Sequence, residues 1–363
     1  MQAHRLILLV RARPPLLKSA LAPELALTLV LTFTVLVAPA CAPRQVMIDL
    51  SPRGPELTRS TVIAETGIFG DRVALIDVSG IMLNSEQPQL FGAGEHPVSL
   101  LYEQLQHAAA DKRVRAVVLR LNTPGGTVTA SDAMYREVQR FRQHTGMPVV
   151  ALMMDVAASG GYYLACASDA IVAYPTSLTG SIGVIVQTFS VKRGMELIGI
   201  DSETIVSGPQ KDVGSPFATI TDEHRQILQN LVDDYHERFM EVVRENRPRI
   251  DQDIFDEVAD GRVVSGDRAT ELGLVDQTGD IHDAFALAKN LAGIDRADLV
   301  RYHRPRAHVR SPYASASPRI SADAPTASTT DRYQINLFQF NLDNLSAVGA
   351  SPGIYYLWRP DAQ

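Results

Sequence analysis

Apolar positions along the chain recur with two periods, and their alternation lays out a repeating order of strands and helices. Residues 149–154 (VVALMM) form a continuous apolar run after Pro148, with the length and composition of a strand covered on both faces. Residues 72–80 and 114–121 read as further strands rich in branched side chains, and residues 170–173 as a short one. Helical spacing marks residues 100–110, 281–291 and 131–144, the last with Ala133, Met134, Val138 and Phe141 on one face. The longest amphipathic stretch, 221–247, puts Ile227, Leu228, Leu231, Tyr235, Phe239 and Val242 on one side. Residues 191–198 read as a short helix and 202–206 as extended. Strand, turn, helix and strand in this order predict an α/β fold with right-handed crossovers.

The ends of the chain follow neither period. Residues 25–42 are apolar apart from threonines and follow Arg5, Arg11, Arg13 and Lys18. A positive flank before such a run is what a membrane-inserted segment needs, and it leaves the bulk of the chain outside the cytoplasm. Two fates stay open: an uncleaved anchor, or cleavage before Cys41 with lipid attachment, since Ala38 and Ala40 precede that cysteine. Residues 43–70, punctuated by Pro43, Pro52, Gly54 and Pro55, read as a linker. The ordered domain is expected over residues 71–292, followed by a Ser/Pro/Ala-rich linker over 293–332 and an apolar tail over 333–363.

Composition narrows the chemistry. Of 363 residues, 45% are hydrophobic and 21% charged, which is enough apolar material for one large core. The net charge of −7 and the lack of a long basic run argue against nucleic acid as a partner. Two cysteines, Cys41 and Cys166, make no disulfide framework, and Cys166 reads as a small buried hydrophobe. Neither C-x-x-C nor H-E-x-x-H occurs, so neither a metal nor another cofactor is expected.

Three stretches can carry chemistry. The 149–154 strand runs on to Ser159, and Gly160 and Gly161 then open an apolar helix. Ser159 is therefore either a helix N-cap or a nucleophile placed where free N–H groups stabilise an anion. The A-A-S-G-G run lacks the first glycine of a G-x-S-x-G elbow. The turn N-T-P-G-G-T at 122–127 is either a tight connection or an oxyanion-binding backbone, and matches neither a dinucleotide nor a Walker fingerprint. Lys211, in the loop S-G-P-Q-K-D-V-G-S-P, is a solvated lysine unless something buries it.

Taken together, N-T-P-G-G at 122–126, A-A-S-G-G-Y-Y at 157–163, T-G-S-I-G at 179–183, S-G-x-x-K-D-x-G-S-P at 207–216 and G-x-x-A-x-x-x-G-L-V-D at 266–276 resemble the signal peptide peptidase A family. These are serine peptidases of the Clp-protease/crotonase superfamily, and five ordered motifs make the resemblance specific. It implies a ClpP/crotonase-like fold of repeated β-β-α crossover units. It also implies Ser159 as nucleophile, Lys211 as general base and Ser181 as the residue that orients the lysine. Gly160 and Gly126 match the backbone donors of the oxyanion hole. A lysine serves as base when burial and dipoles lower its pKa from ~10.4 toward ~7–8. The same resemblance implies a homo-oligomer on the extracytoplasmic, periplasmic side of a bacterial membrane, acting on signal-peptide remnants and other short apolar peptides. Nucleophile and lysine would come from neighbouring subunits. Two other functions compete: a crotonase-type acyl-CoA enzyme, which needs paired carboxylates, and an inactive membrane scaffold of the same fold.

Overall fold

Strands with no polar face need cover on both sides, and the chain supplies it with helices before and after each strand. The computed structural model describes residues 56–67, 70–86, 95–305, 311–314 and 354–358. The expected membrane segment 1–42, with Cys41, lies outside the described residues. Among the described residues no helix is long and apolar enough to cross a membrane.

In chain order the elements are β1 (Thr58–Ile63), β2 (Arg72–Ser79), α1 (Pro97–Ala110), β3 (Val114–Thr123), β4 (Gly125–Thr127), α2 (Val128–Thr145) and β5 (Val149–Ala158). Then come α3 (Gly160–Ala165), β6 (Ala170–Ala173), β7 (Leu178–Gly180), β8 (Ile185–Val186), α4 (Lys192–Leu197), α5 (Asp222–Asn246) and α6 (Gln252–Val258). The last are β9 (Val263–Ser265), α7 (Gly266–Glu271), β10 (Gln277–Thr278), α8 (Ile281–Leu291), β11 (Asp298–His303) and β12 (Ile354–Leu357).

The main sheet runs β1-β11-β2-β3-β5-β6-β10 and is parallel from β11 to β10. Its strands alternate strictly: Val73 and Leu75 of β2 pack with Val118, Val150 and Leu152 against α8, through Ile281, Ala284, Phe285 and Ala288. Ala74 and Ile76 face the other way, toward Leu101 and Leu105 of α1, Met134 and Val138 of α2, and Phe239 and Val242 of α5. This is a mixed α/β fold dominated by a parallel sheet, as the two periods predict. β5 is the branch point. Its first half pairs with β6 and its last three residues pair with β7, which lies off the main path of the same sheet, so the strand changes partner as it reaches Ser159.

Local chemistry fixes the helix ends. Thr127 caps α2 by accepting the Ala130 N–H, and Gly146 closes the helix at φ 66°. Asp280 and Asp283 form a capping box at the start of α8.

Three expectations need correction. Residues 58–63, read as linker, form β1, antiparallel to β11. Residues 298–303, read as the start of a second linker, form β11, with Arg301 wholly buried against Asp77. Residues 202–206, read as extended, form no strand. The first two escape notice because β1 has no buried face to generate a period, and its partner lies some 240 positions away in the chain. The third is exposed throughout, so its branched residues reflect no packing.

Candidate active site

Ser159 stands at the end of β5 with φ 53° and ψ −117°, a conformation that L-residues avoid. Its amide donates to Gly180 O at 2.8 Å and its carbonyl accepts from Tyr163 N at 2.9 Å, so both flanks are held. The side chain caps nothing. Ser159 is 1% exposed, and its Oγ has no hydrogen-bond partner. A capping serine would accept an N–H of the first helical turn, so the capping alternative fails. Instead the hydroxyl is a buried, unsatisfied group on a strained residue, a combination that marks functional sites.

Ser181 lies beside it. The β5–β7 register sets Ala158 opposite Gly180, and Ser181, at φ 50°, is the other non-glycine residue with positive φ among those described. Its amide donates to Arg262 O at 2.7 Å, which ties it to the start of β9. Ser159 and Ser181 are thus adjacent strained residues at the ends of adjacent strands.

The glycine turn after β3 closes the other side. A Cβ on Gly125 would lie 2.7 Å from Gly160 N, and one on Gly160 would lie 3.2 Å from Gly125 Cα. Backbone approaches this close admit only glycine. The turn and the first amide of α3 therefore meet, as an oxyanion site requires. Gly125 makes the approach to Gly160; Gly126 abuts Met82 instead, through an isolated parallel bridge.

Lys211 is exposed and sits in a turn whose amide donates to Gly208 O. No hydrogen bond joins it to Ser159 or Ser181. Its loop is anchored by the buried His224 of α5, whose Nε2 contacts Pro209 O at 3.3 Å and Asp212 Oδ1 at 3.7 Å. Ile205 and Phe217 flank the loop in the chain, and Phe189 lines a cavity with Asp212, Gly214 and Ser215; all three are exposed, Ile205 at 94%. The structure brings together Ser159, Ser181, Gly160 and the glycine turn, and leaves Lys211 outside that cluster within one chain.

Sequence reasoning missed the aromatic floor behind Ser159. Tyr163 stacks on Tyr356 at 5.3 Å between centroids and meets Tyr135 and Phe239 edge-on, both at 5.1 Å. Burial, with a hydrogen bond to Asp132 (2.8 Å), raises the Tyr163 phenol far above its ordinary pKa, so it stays a donor. Two tyrosines following a serine-glycine pair were the available signal. Cys166 lies below them, buried, its thiol pushed up to about 12 by burial. Among the described residues no group of His, Cys, Asp and Glu could hold a metal ion.

The signature of Peptidase family S49 matches residues 141–295, and that of Clp protease matches residues 73–179. The chain is similar to a signal peptide peptidase SppA of Enterococcus faecium, 32% identical over 247 residues that cover 68% of this chain and 71% of the relative. It is 35% identical to Protease 4 of Salmonella typhi, over 64% of this chain and 37% of the relative. It is 34% identical to the chloroplastic serine protease SPPA of Arabidopsis thaliana, over 65% and 35% respectively. The matched segment thus spans little more than a third of the two latter proteins.

Proposed function

The chain belongs to the signal peptide peptidase A family, Peptidase family S49, and is a serine peptidase; from that premise we propose an endopeptidase that cuts short apolar peptides, signal-peptide remnants among them, through Ser159 and Lys211. The observation that carries the reading is Ser159 itself, strained, buried and with its hydroxyl unbonded, beside the Gly125–Gly160 backbone. The Lys211 amine takes the Ser159 proton as Oγ attacks the peptide carbonyl. The backbone N–H groups of Gly160 and Gly126 stabilise the resulting oxyanion. The leaving amine receives the proton, and a water activated by the same lysine releases the acyl group. Ser181, one strand over from Ser159, orients the amine.

The exposure of Lys211 and the apolar surface around it support a base delivered from a second copy of the chain. Exposed large apolar side chains close to a functional loop, such as Ile205, Phe217 and Phe189, are a mark of an interface. The N-terminal segment would hold the assembly at the outer face of a bacterial membrane, as a span or through lipid on Cys41. An acyl-CoA reading needs paired acid and base carboxylates, and among the described residues no carboxylate bonds the Ser159 hydroxyl.

The test is hydrolysis of a fluorogenic apolar peptide by the full chain and by Ser159→Ala and Lys211→Ala. Both variants are expected to fall to background, and an equal mixture of the two to regain about a quarter of the sites if neighbours share them. Full activity in either single variant would move the chemistry elsewhere.

A further inference from the structure

The two halves of α5 lie in different surroundings. Phe239, Val242 and Val243 are buried, with Phe239 edge-on to Tyr163 in the floor behind Ser159. From Asp222 to Arg238 one residue is buried, and it is a histidine, His224. Ile227, Leu228 and Leu231, which the apolar pattern would bury, stay partly exposed. His224 and Phe239 stand about 22 Å apart along the helix at its regular rise. α5 is therefore a strut, with one end in the Ser159 floor and the Lys211 loop on the other.

A polar ring buried at the tip of a helix needs a hydrogen-bond partner, and the loop supplies it. His224 Nε2 lies 3.3 Å from Pro209 O and 3.7 Å from Asp212 Oδ1, so it touches the loop on both sides of Lys211. A carbonyl only accepts, which puts the proton on Nε2. The histidine is itself held, because its N–H donates to the capping hydroxyl of Thr221 at 3.1 Å. The loop has less of its own. Its internal bonds are short turns, Lys211 N to Gly208 O at 3.1 Å and Ser215 N to Asp212 O at 2.9 Å. A cavity of about 170 Å³, lined by Asp212, Gly214 and Ser215 together with Phe189, Ser190 and His224, leaves it without close packing there.

We propose that His224 is a positioning residue for the base: its Nε2–H holds the segment from Pro209 to Asp212 on the tip of α5 and so fixes where the Lys211 amine is presented to a serine. The proposal rests on the reading of Lys211 as the base and adds to it what orients that lysine's backbone. The imidazole acts through the loop and not on the reacting atoms. A lysine amine rides on a flexible four-carbon stem, so its aim is set by the backbone that carries it. A base misplaced by ~1 Å costs on the order of 100-fold in rate.

The test compares hydrolysis of a fluorogenic apolar peptide by the full chain and by His224→Ala, His224→Phe and His224→Gln. His224→Ala is expected to lower kcat about 10- to 100-fold with KM within about 2-fold of the parent, the pattern of an interaction needed in the transition state and not for binding. His224→Phe fills the same space without a donor and should be as poor. His224→Gln, whose amide can donate to Pro209 O, should recover most of the parental kcat. Parental kcat in His224→Ala would overturn the proposal, as would equal kcat in the Phe and Gln variants of parental circular dichroism. An active Lys211→Ala chain would remove the base reading itself; an inactive Lys211→Ala chain beside a fully active His224→Ala chain would overturn this proposal alone.

Co-expressed pairs separate positioning from a general need for the residue. In a pair of Ser159→Ala and Lys211→Ala chains, the first lends its lysine and the second its serine. Adding His224→Ala to the chain that lends the lysine should abolish the regained activity, and adding it to the other chain should leave that activity unchanged. Equal loss in both placements would mean that His224 only stabilises the fold, and would overturn the proposal.

Discussion

Gly126→Ala puts the glycine turn to a direct test. A Cβ at this position would lie 2.5 Å from the Met82 carbonyl carbon and 2.7 Å from its Cα, and nearer still to the oxygen. All three are backbone atoms and cannot rotate aside. Met82 is itself fixed, its N–H donating to Gly125 O at 2.8 Å and its carbonyl accepting from Thr127 N at 2.9 Å. The methyl enters only if those two bonds stretch or break. Overpacking costs about 1–3 kcal/mol, and two weakened backbone hydrogen bonds add about 1–3 kcal/mol, so the loss is about 2–6 kcal/mol. A backbone donor moved by ~1 Å no longer meets the oxyanion, and kcat should fall on the order of 100-fold. Urea unfolding measures the first quantity, through a lower midpoint at unchanged slope, and peptide hydrolysis by the folded fraction measures the second. Gly194→Ala is the control, because nothing lies within 4 Å of a Cβ there; it should change stability by no more than about 1 kcal/mol. A folded Gly126→Ala chain with the parental kcat would refute the oxyanion role of this turn.

Two further outcomes follow from buried groups. Burial pushes the Asp276 pKa up, but hydrogen bonds from Arg247 (2.8 and 3.0 Å) and the Ile171 N–H (2.8 Å), with the Arg247 charge, more than offset it and leave the pKa lowered. A depressed carboxylate stabilises the fold above its unfolded pKa of ~3.9 and ceases to as pH falls through the folded value. Asp276→Asn should therefore lower Tm at pH 7, by about 2 kcal/mol in stability, and narrow its gap to the parent below pH ~4; a gap constant with pH would show that the carboxylate charge is not what matters. The Cys166 thiol, pushed up to about 12 by burial although the Arg247 charge and a Tyr162 hydrogen bond pull the other way, should not react with a thiol reagent in the folded Cys41→Ser chain at pH 8. It should react fully in denaturant, and rapid native labelling would mean that the aromatic floor opens.

What the sequence reveals depends on how local the cause is. α2 and α8 are legible because one amphipathic face, one cap and one terminal glycine or capping box act within a few residues. The end of β5 is legible for the same reason: a buried run stops at a serine followed by two glycines. β1, β11 and β12 are not, because each owes its conformation to a partner far away in the chain. Arg301 shows the limit plainly. In a stretch turning rich in Ser, Ala and Pro it reads as solvated, but β11 carries it under the sheet beside Asp77 and Arg120. Burial lowers its pKa to about 10. The motif glycines read from the sequence do cluster, but which of them touches Gly160 is a matter of register. Gly125, not Gly126, makes that contact.

The division of labour within the site follows from where the fold places its strain. Ser159 and Ser181 each sit at positive φ, at about 1–3 kcal/mol apiece. Such conformations persist only where neighbours over-determine them, and here three backbone hydrogen bonds do so: Ser159 to Gly180, Tyr163 to Ser159, and Ser181 to Arg262. They bind Ser159 and Ser181 to the neighbouring strand end, the first turn of α3 and the start of β9, and the Met82 N–H fixes Gly125 O, so Ser159 and the glycine turn are held before any ligand arrives. Lys211 has no such support. Its turn is tied to α5 through His224 and is flanked by exposed apolar side chains that no described residue buries. In the function proposed above, a rigid Ser159 half and an unburied Lys211 half would be complementary: the surface that leaves Lys211 solvated in one copy is the surface a second copy would bury, so that burial of the amine and completion of the dyad would be one event. On that reading a lone chain would hold an oriented serine without its base.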